Sequence, residues 1–142
     1  STGVLPAAIP HHKLLDIYGC NAGFQQGVEQ EHQLCINKGN LNFEEKAAEY
    51  GLNDPGFTTH AAFFDYDLDG DLDVYILNNS FIPVNTLNYS NKRDLRSEDW
   101  PVADYMKGGG DRLLRNDNGR FTDVSKDAHI YGSLIGFGLG VM

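Results

Sequence analysis

The feature of this sequence that most constrains its fold is an internal repeat. Residues 34–43, LCINKGNLNF, recur as residues 113–121, LLRNDNGRF, at an offset of 79 residues that falls to 78 because one turn residue is missing. Residues 16–21, DIYGCN, recur as residues 73–78, DVYILN, at an offset of 57. Repeated units bury their apolar faces against one another, so the sequence predicts stacked or radially arranged units.

The repeated segments have the chemistry of strands. Residues 74–77, VYIL, are β-branched, aromatic or aliphatic and are bounded by loop residues. Residues 116–119, NDNG, predict a hairpin turn, and residues 38–40 predict the same turn in the first copy, because Asn and Gly adopt positive φ at little cost. Residues 44–50 and 122–128 predict at most a single helical turn. We therefore expect an all-β protein with short antiparallel strands.

The unequal offsets indicate an insertion in the second copy. Residues 81–110 contain charges, prolines and the run Gly108-Gly109-Gly110, and they have no counterpart of equal length between Asn21 and Leu34. They predict an inserted loop with a short helix within residues 93–106. Trp100 in this loop either packs against the fold or presents an aromatic ring to a ligand.

Bulk composition excludes several classes of protein. The net charge is −9, and no basic run exists, which argues against a nucleic-acid partner. No stretch approaches the roughly 20 apolar residues of a membrane-spanning helix. Five of the twenty acidic residues fall within residues 65–73, and such crowding is unfavourable unless a cation neutralises it.

The acidic segment has the pattern of a calcium loop. Calcium takes six to eight oxygen ligands, and aspartates at alternate positions of a tight loop can turn inward together. Gly70 permits the chain reversal, and Asp71 is expected to contribute its backbone carbonyl. The predicted metal ligands are Asp65, Asp67, Asp69, Asp71 and Asp73.

Three alternatives to this calcium site are weaker. An EF-hand requires a Glu at the twelfth loop position, where this chain has Ile76 in an apolar strand. Magnesium accepts fewer protein ligands in a stricter geometry. A solvated acidic turn without metal would leave five aspartates repelling one another.

These motifs carry a specific resemblance that covers most of residues 14–142. Residues 56–75, GFTTHAAFFDYDLDGDLDVY, resemble the FG-GAP/VCBS repeat of integrin-α-like β-propellers. Residues 34–52 resemble the linker of the bacterial branch, which often carries an ASPIC/UnbV domain. The resemblance implies a four-stranded sheet per blade, with Ca²⁺ held by the five aspartates in the loop between two strands.

The number of repeats departs from a complete propeller. In the first copy the loop positions fall on Ala8, Pro10 and His12, so the calcium ligands are absent there. A closed propeller needs about four to eight blades, and this chain supplies roughly two. We therefore expect a fragment of a longer repeat protein, completed by further propeller blades in cis or from other chains.

This interpretation divides the chain into five segments. They are an N-terminal segment with a degenerate first calcium loop (1–13), a partial blade and linker (14–52), the calcium-loop hairpin (53–80), the inserted loop (81–110), and a second linker hairpin with the start of the next unit (111–142).

The resemblance also implies a role and a location. We expect a structural or adhesion-type interaction module in a secreted, periplasmic or cell-surface protein, with a protein or glycan partner. The alternative is a propeller-type hydrolase or lyase acting on polysaccharide or lipid. Such an enzyme would require an acid/base set such as His60 with Asp104 or Asp111. No sequence spacing requires that set, so we expect no catalytic activity.

The two cysteines leave two interpretations open. Cys20 and Cys35 are predicted on neighbouring strands, which allows a disulfide in an oxidising compartment. They also align with Leu77 and Leu114 in the repeat, so both can be small buried hydrophobic residues.

Overall fold

The computed structural model describes residues 3–9, 14–22, 31–81, 94–138 and 140. Its main regular elements are eight strands and one short α-helix. They are β1 (Gly3–Ala7), β2 (Asp16–Cys20), β3 (Gln33–Gly39), β4 (Asn42–Glu45), α1 (Ala47–Tyr50), β5 (Thr58–Phe64), β6 (Asp73–Asn78), β7 (Arg112–Asn116) and β8 (Phe121–Asp123).

The strands form two antiparallel four-stranded sheets, which confirms the all-β prediction. The first sheet has the order β1-β2-β3-β4 and the second has the order β5-β6-β7-β8. Strand β1 belongs to residues 1–13 and pairs with β2, so the N-terminal segment contributes an edge strand to the first sheet. Residues 53–80 and 111–142 each contribute a hairpin to the second sheet, and the inserted residues 81–110 connect these hairpins.

The two sheets repeat the same strand register. In the first sheet Tyr18 pairs with Leu34, and in the second sheet Tyr75 pairs with Leu113. These pairs reproduce the sequence offsets of 57 and 79 residues. The turns repeat as well, since the turn residues Gly39 and Asn118 both have positive φ. The repeat found in the sequence is therefore a repeat of structure.

The short turn predicted after each hairpin is present, and it is helical in the first copy. In the first copy it is α1, which ends at Gly51 in the left-handed conformation, and the Leu52 N–H donates to the Ala47 carbonyl at 2.8 Å. In the second copy the Ile130 N–H donates to the Ser125 carbonyl at the same distance. Both turns follow the last strand of their sheet.

The sheets pack with unlike faces together. Tyr18, Leu34 and Ile36 of the first sheet lie in one buried cluster with Val74 and Ile76 of the second sheet. The repeat equivalents of Val74 and Ile76 are Ile17 and Gly19, and these lie on the opposite, outer face of the first sheet. The second sheet therefore packs through the face that corresponds, in the repeat, to the exposed face of the first sheet. The first sheet packs through its other face.

The outer face of the first sheet is open and carries exposed apolar side chains. Val4 is 62% exposed and Ile17 is 36% exposed. Val4 pairs with Gly19 across the β1–β2 ladder, and Ile17 pairs with Cys35 across the β2–β3 ladder. Because the equivalent face of the second sheet is buried against the first, this open face has the composition of a packing surface.

The inserted loop differs from its prediction. In place of one short helix, its described part contains two separate 3₁₀ turns, Ser97–Asp99 and Asp104–Met106. Trp100 between them is extended, because the following residue, Pro101, disfavours helical geometry at the position before it. Trp100 is buried against Leu134, so it packs against the fold and does not present an exposed ring.

The cysteines are free thiols, so the disulfide interpretation is wrong. Cys35 pairs with Ile17 in the β2–β3 ladder, and Cys20 lies three residues further along β2. Three strand residues span about 10 Å and place the two side chains on opposite faces, which exceeds disulfide reach. Cys20 is buried and behaves as a small core residue.

Among the described residues, no helix has the length and apolar character needed to cross a membrane.

Candidate metal centre

The aspartate-rich segment connects β5 to β6. Phe64 ends β5 and Asp73 begins β6, so residues 65–72 form the connecting loop. The loop reverses through two positive φ angles, 63° at Leu68 and 96° at Gly70. Nothing lies within 4 Å of a Cβ built on Gly70, so its conformation, and not crowding, favours glycine there.

Three of the five predicted ligands converge. Asp65, Asp67 and Asp73 each place one carboxylate oxygen so that the three atoms lie within 4.8 Å of one another. Asp69 and Asp71 are outside this group. The Asp69 carboxylate accepts the Asp71 N–H at 2.9 Å, and the Asp71 carboxylate accepts the Asn118 N–H at 3.3 Å. Their carboxylates thus hold the loop and anchor it to the β7–β8 turn.

The Asp65 carboxylate has the environment of a cation ligand. Its Oδ2 accepts the Gly70 N–H at 3.2 Å. Its Oδ1 is buried and has no hydrogen-bond partner among the described residues. A buried acceptor without a donor is unfavourable by roughly 1–3 kcal/mol, more when charged, and a bound cation removes that penalty. The donor set is entirely oxygen, which suits calcium or magnesium.

The charges around Asp67 favour a cation in the same place. Desolvation and the negative charges of Asp69 and Asp73 raise the pKa of Asp67. Among the described residues, Arg115 is the positively charged side chain that pairs with Asp67, and its Nε lies 4.0 Å from the Asp67 carboxylate. Arg115 directs its guanidinium to Asp117 at 3.0 Å, so the loop keeps a concentration of negative charge.

Asp73 has a second role that the sequence pattern did not indicate. Its Oδ2 accepts the Tyr66 N–H at 2.6 Å, and its Oδ1 accepts the Asn116 N–H at 2.8 Å. The Asn116 side chain in turn donates to the Leu72 carbonyl at 3.1 Å. We call Asp73 with Asn116 the second Asp–Asn latch, because it lies in the second sheet and an equivalent pair occurs in the first. It ties the loop to β7 through backbone groups.

The same arrangement occurs in the first sheet. Asp16 accepts the Ile9 N–H at 3.1 Å and the Asn37 N–H at 2.9 Å, and the Asn37 side chain donates to the Leu15 carbonyl at 3.1 Å. This first Asp–Asn latch lies next to a loop without aspartates, of which Ala8 is described and Pro10 and His12 lie outside the described residues. The latch is thus a property of the repeat itself. Asn37 and Asn116 occupy equivalent positions of the sequence repeat. That equivalence is the signal that could have identified Asn116 as a partner of the aspartate loop.

The acid/base set considered for an enzyme is not assembled by the described contacts. Asp104 has a side chain that is 97% exposed and pairs with Lys107. Asp111 accepts the Tyr75 hydroxyl at 3.0 Å and the Asn78 N–H at 2.9 Å, and burial raises its pKa. The cleft that Asp111 lines does not include His60.

Comparison with known proteins gives no further assignment. No protein-family model, curated protein or solved structure matches this chain. The case for its function therefore rests on the motifs and the geometry above.

Proposed function

We propose that this chain is a calcium-binding FG-GAP/VCBS repeat module, composed of two blades of an integrin-α-like β-propeller. Its role is structural or adhesive, in a secreted, periplasmic or cell-surface protein. The observation that carries the proposal is the buried, unpartnered Oδ1 of Asp65, which lies beside the convergent carboxylates of Asp67 and Asp73. An all-oxygen, strongly negative loop of this kind suits Ca²⁺.

In this proposal each aspartate has a distinct task. Asp65 and Asp67 bind the ion through their carboxylates. Asp73 faces it while remaining hydrogen-bonded in the latch. Asp69 and Asp71 complete the ligand set, Asp71 through its backbone carbonyl. The ion neutralises the loop and ties the end of β5 to the start of β6, so its binding energy adds to folding stability.

The packing of the sheets supports the propeller part of the proposal. Two copies with the same register and the same latch stack with unlike faces together, and this relation can be continued by further copies. The open face around Val4 and Ile17 is the equivalent of the face that the second sheet buries. In the proposal another blade, from the same or another chain, covers it.

Calcium titration calorimetry on the folded chain tests the metal site. The Asp65→Asn and Asp67→Asn variants remove one charge each from the convergent group, and we expect each to weaken calcium binding at least about tenfold, equivalent to 1.4 kcal/mol. Asp71→Asn keeps the backbone carbonyl and should weaken binding less. Asp127→Asn, which changes an exposed carboxylate in the turn after β8, is the matched control and should bind like the parent.

Two results would reject the metal site in the aspartate loop. If the folded parent chain takes up no calcium, or if Asp127→Asn and Asp65→Asn weaken binding by the same factor, the ion is not held by this loop. A preference for magnesium over calcium would reject the identity of the ion while keeping the location.

A further inference from the structure

A second polar site lies at the end of the second sheet that is remote from the aspartate loop. Strand β7 begins at Arg112 and ends at Asn116, whose N–H donates to Asp73 at the end of the aspartate loop. A cleft of about 390 Å³ opens at the Arg112 end. The inserted loop forms one of its walls with Arg96, and the turn after β8 contributes Lys126. Its volume is within the usual range for small-ligand pockets.

The repeat supplies a built-in comparison for this cleft. A smaller cleft of about 260 Å³ lies at the equivalent place in the first sheet. Arg112 of the larger cleft corresponds to Gln33 of the smaller one, and Lys126 corresponds to Ala48. Arg96 comes from the insertion. The larger cleft thus has three Arg or Lys side chains where the smaller one has none, and three carboxylates where the smaller one has two, so its net charge is more positive by two.

The three acidic groups of the larger cleft already have partners. Glu98 from the insertion accepts the Arg96 Nε–H at 3.0 Å. Asp123 accepts both the N–H and the hydroxyl of Ser125, at 2.9 and 2.6 Å. Asp111 accepts the Tyr75 hydroxyl and the Asn78 N–H. These carboxylates therefore organise the walls of the cleft and have limited capacity for a ligand.

The basic groups retain donors. Arg112 directs Nη1 to the buried Asp54 carboxylate at 2.8 Å, and a guanidinium has five N–H donors in all. Lys126 has a side chain that is 76% exposed, and its described ion pair with Glu98 is long, at 4.0 Å. Arg96 donates Nε–H to Glu98 and Nη1–H to the Ile130 carbonyl, each at 3.0 Å, and keeps its other N–H donors. The three basic side chains together keep charged donors, which suit an anionic ligand.

We propose that this cleft binds a small carboxylate-bearing ligand, held by Arg112, Lys126 and Arg96. The planar guanidinium groups match the geometry of a carboxylate, and the bound Asp111 and Asp123 keep the cleft shaped without a ligand. The carboxylate can belong to an acidic sugar or to an acidic amino-acid side chain, because both present the same group. This site is separate from the metal loop and does not depend on calcium.

Two acids and their neutral counterparts test the proposal by amide NMR titration. D-glucuronate is paired with D-glucose, and N-acetylglutamate is paired with N-acetylglutamine. At least one acid should shift the backbone signals of residues 110–112 and 123–126 with a Kd of about 1–10 mM, and its neutral counterpart should not. The shifts should persist in chelator and weaken with added salt, because the charges are partly exposed.

A matched pair of variants locates the binding. Lys126→Ala installs the residue of the first copy and should weaken the acid's binding about three- to tenfold, since one charge-assisted contact is lost. Arg120→Ala removes an exposed cation from the hairpin turn at the other end of the sheet and should leave binding unchanged. Arg112 is a poorer first choice for substitution, because its loss would leave Asp54 buried without its counter-ion.

The titrations distinguish a carboxylate on an acidic sugar from one on an acidic amino acid. Binding of glucuronate alone indicates an acidic glycan, and binding of N-acetylglutamate alone indicates an acidic peptide. The proposal is overturned if neither acid binds at concentrations up to about 50 mM, if the neutral counterparts bind equally well, or if Lys126→Ala and Arg120→Ala are indistinguishable. None of these results bears on calcium uptake by the other end of the sheet.

Discussion

The two Asp–Asn latches allow the structural role of Asp73 to be measured apart from its role at the metal. Asp16 and Asp73 each accept two backbone N–H groups and are fully buried, but only Asp73 lies at an aspartate loop. Changing either one to Asn replaces a carboxylate oxygen by an amide group that faces an N–H donor. One charge-assisted hydrogen bond is lost and one donor is left unpaired.

The expected loss is similar for the two variants when no calcium is bound. From the usual value for a hydrogen bond to a charged group, Asp16→Asn and Asp73→Asn should each lower the free energy of unfolding by about 2–4 kcal/mol. In a chain of this size that corresponds to a fall in Tm of roughly 6–16 °C. Calorimetric melting in chelator measures both.

Calcium should then separate the variants. At a free concentration about one hundred times the Kd, calcium stabilises a protein that binds it only when folded by about 2.7 kcal/mol. Asp16→Asn should keep this increment, and Asp73→Asn should lose most of it. The reasoning is refuted if Asp73→Asn gains the full increment. It is also refuted if, in chelator, only one of the two variants is destabilised.

Three further predictions concern buried or half-buried groups. Burial and the neighbouring Asp111 raise the pKa of Tyr75 to about 12, so the phenol's contribution to stability should be lost as pH rises from about 10 to 12. Tyr75→Phe should reduce that alkaline loss, by about 1 kcal/mol after allowance for solvent screening, in urea unfolding at pH 8 and pH 11. Burial lowers the pKa of His32. Its stabilising contribution should therefore be present above the free-imidazole value of about 6.5 and decline as pH falls below it, a decline that His32→Gln should reduce. Leu134 is fully buried beside Trp100. Leu134→Ala should lower the free energy of unfolding by about 2–4 kcal/mol and make Trp100 more accessible to quenching by acrylamide.

Each of these has a clear contrary result. An unchanged alkaline loss in Tyr75→Phe would show that the ring ionises as freely in the folded chain as in the unfolded one. Equal acid sensitivity of His32→Gln and the parent would assign the acid transition to other groups. If Leu134→Ala melts like the parent and Trp100 remains shielded, the inserted loop has its own support and does not depend on this contact.

Much of the fold could be predicted from the sequence, because the repeat and the turn residues are local signals. Aligning Tyr18 with Tyr75 and Leu34 with Leu113 anticipated that the second sheet repeats strands of the first. The Asn-Asp-Asn-Gly sequence over residues 116–119 anticipated the β7–β8 turn. The alternation of aspartates over residues 65–73 located the candidate metal site, since inward-facing carboxylates of a tight loop are close in sequence.

The contacts that only the tertiary structure revealed join groups that are distant along the chain. Asn116 is 43 residues from Asp73, and only sheet pairing makes it the partner that holds that carboxylate in the latch. The same holds for the cleft, where Arg96, Arg112 and Lys126 meet because the insertion folds back on the sheet. Spacing also failed for Cys20 and Cys35, since a three-residue difference in register places them on opposite faces. Sequence periodicity identifies strands and turns, whereas the contacts that produce a site depend on which strands pair and which faces they bury.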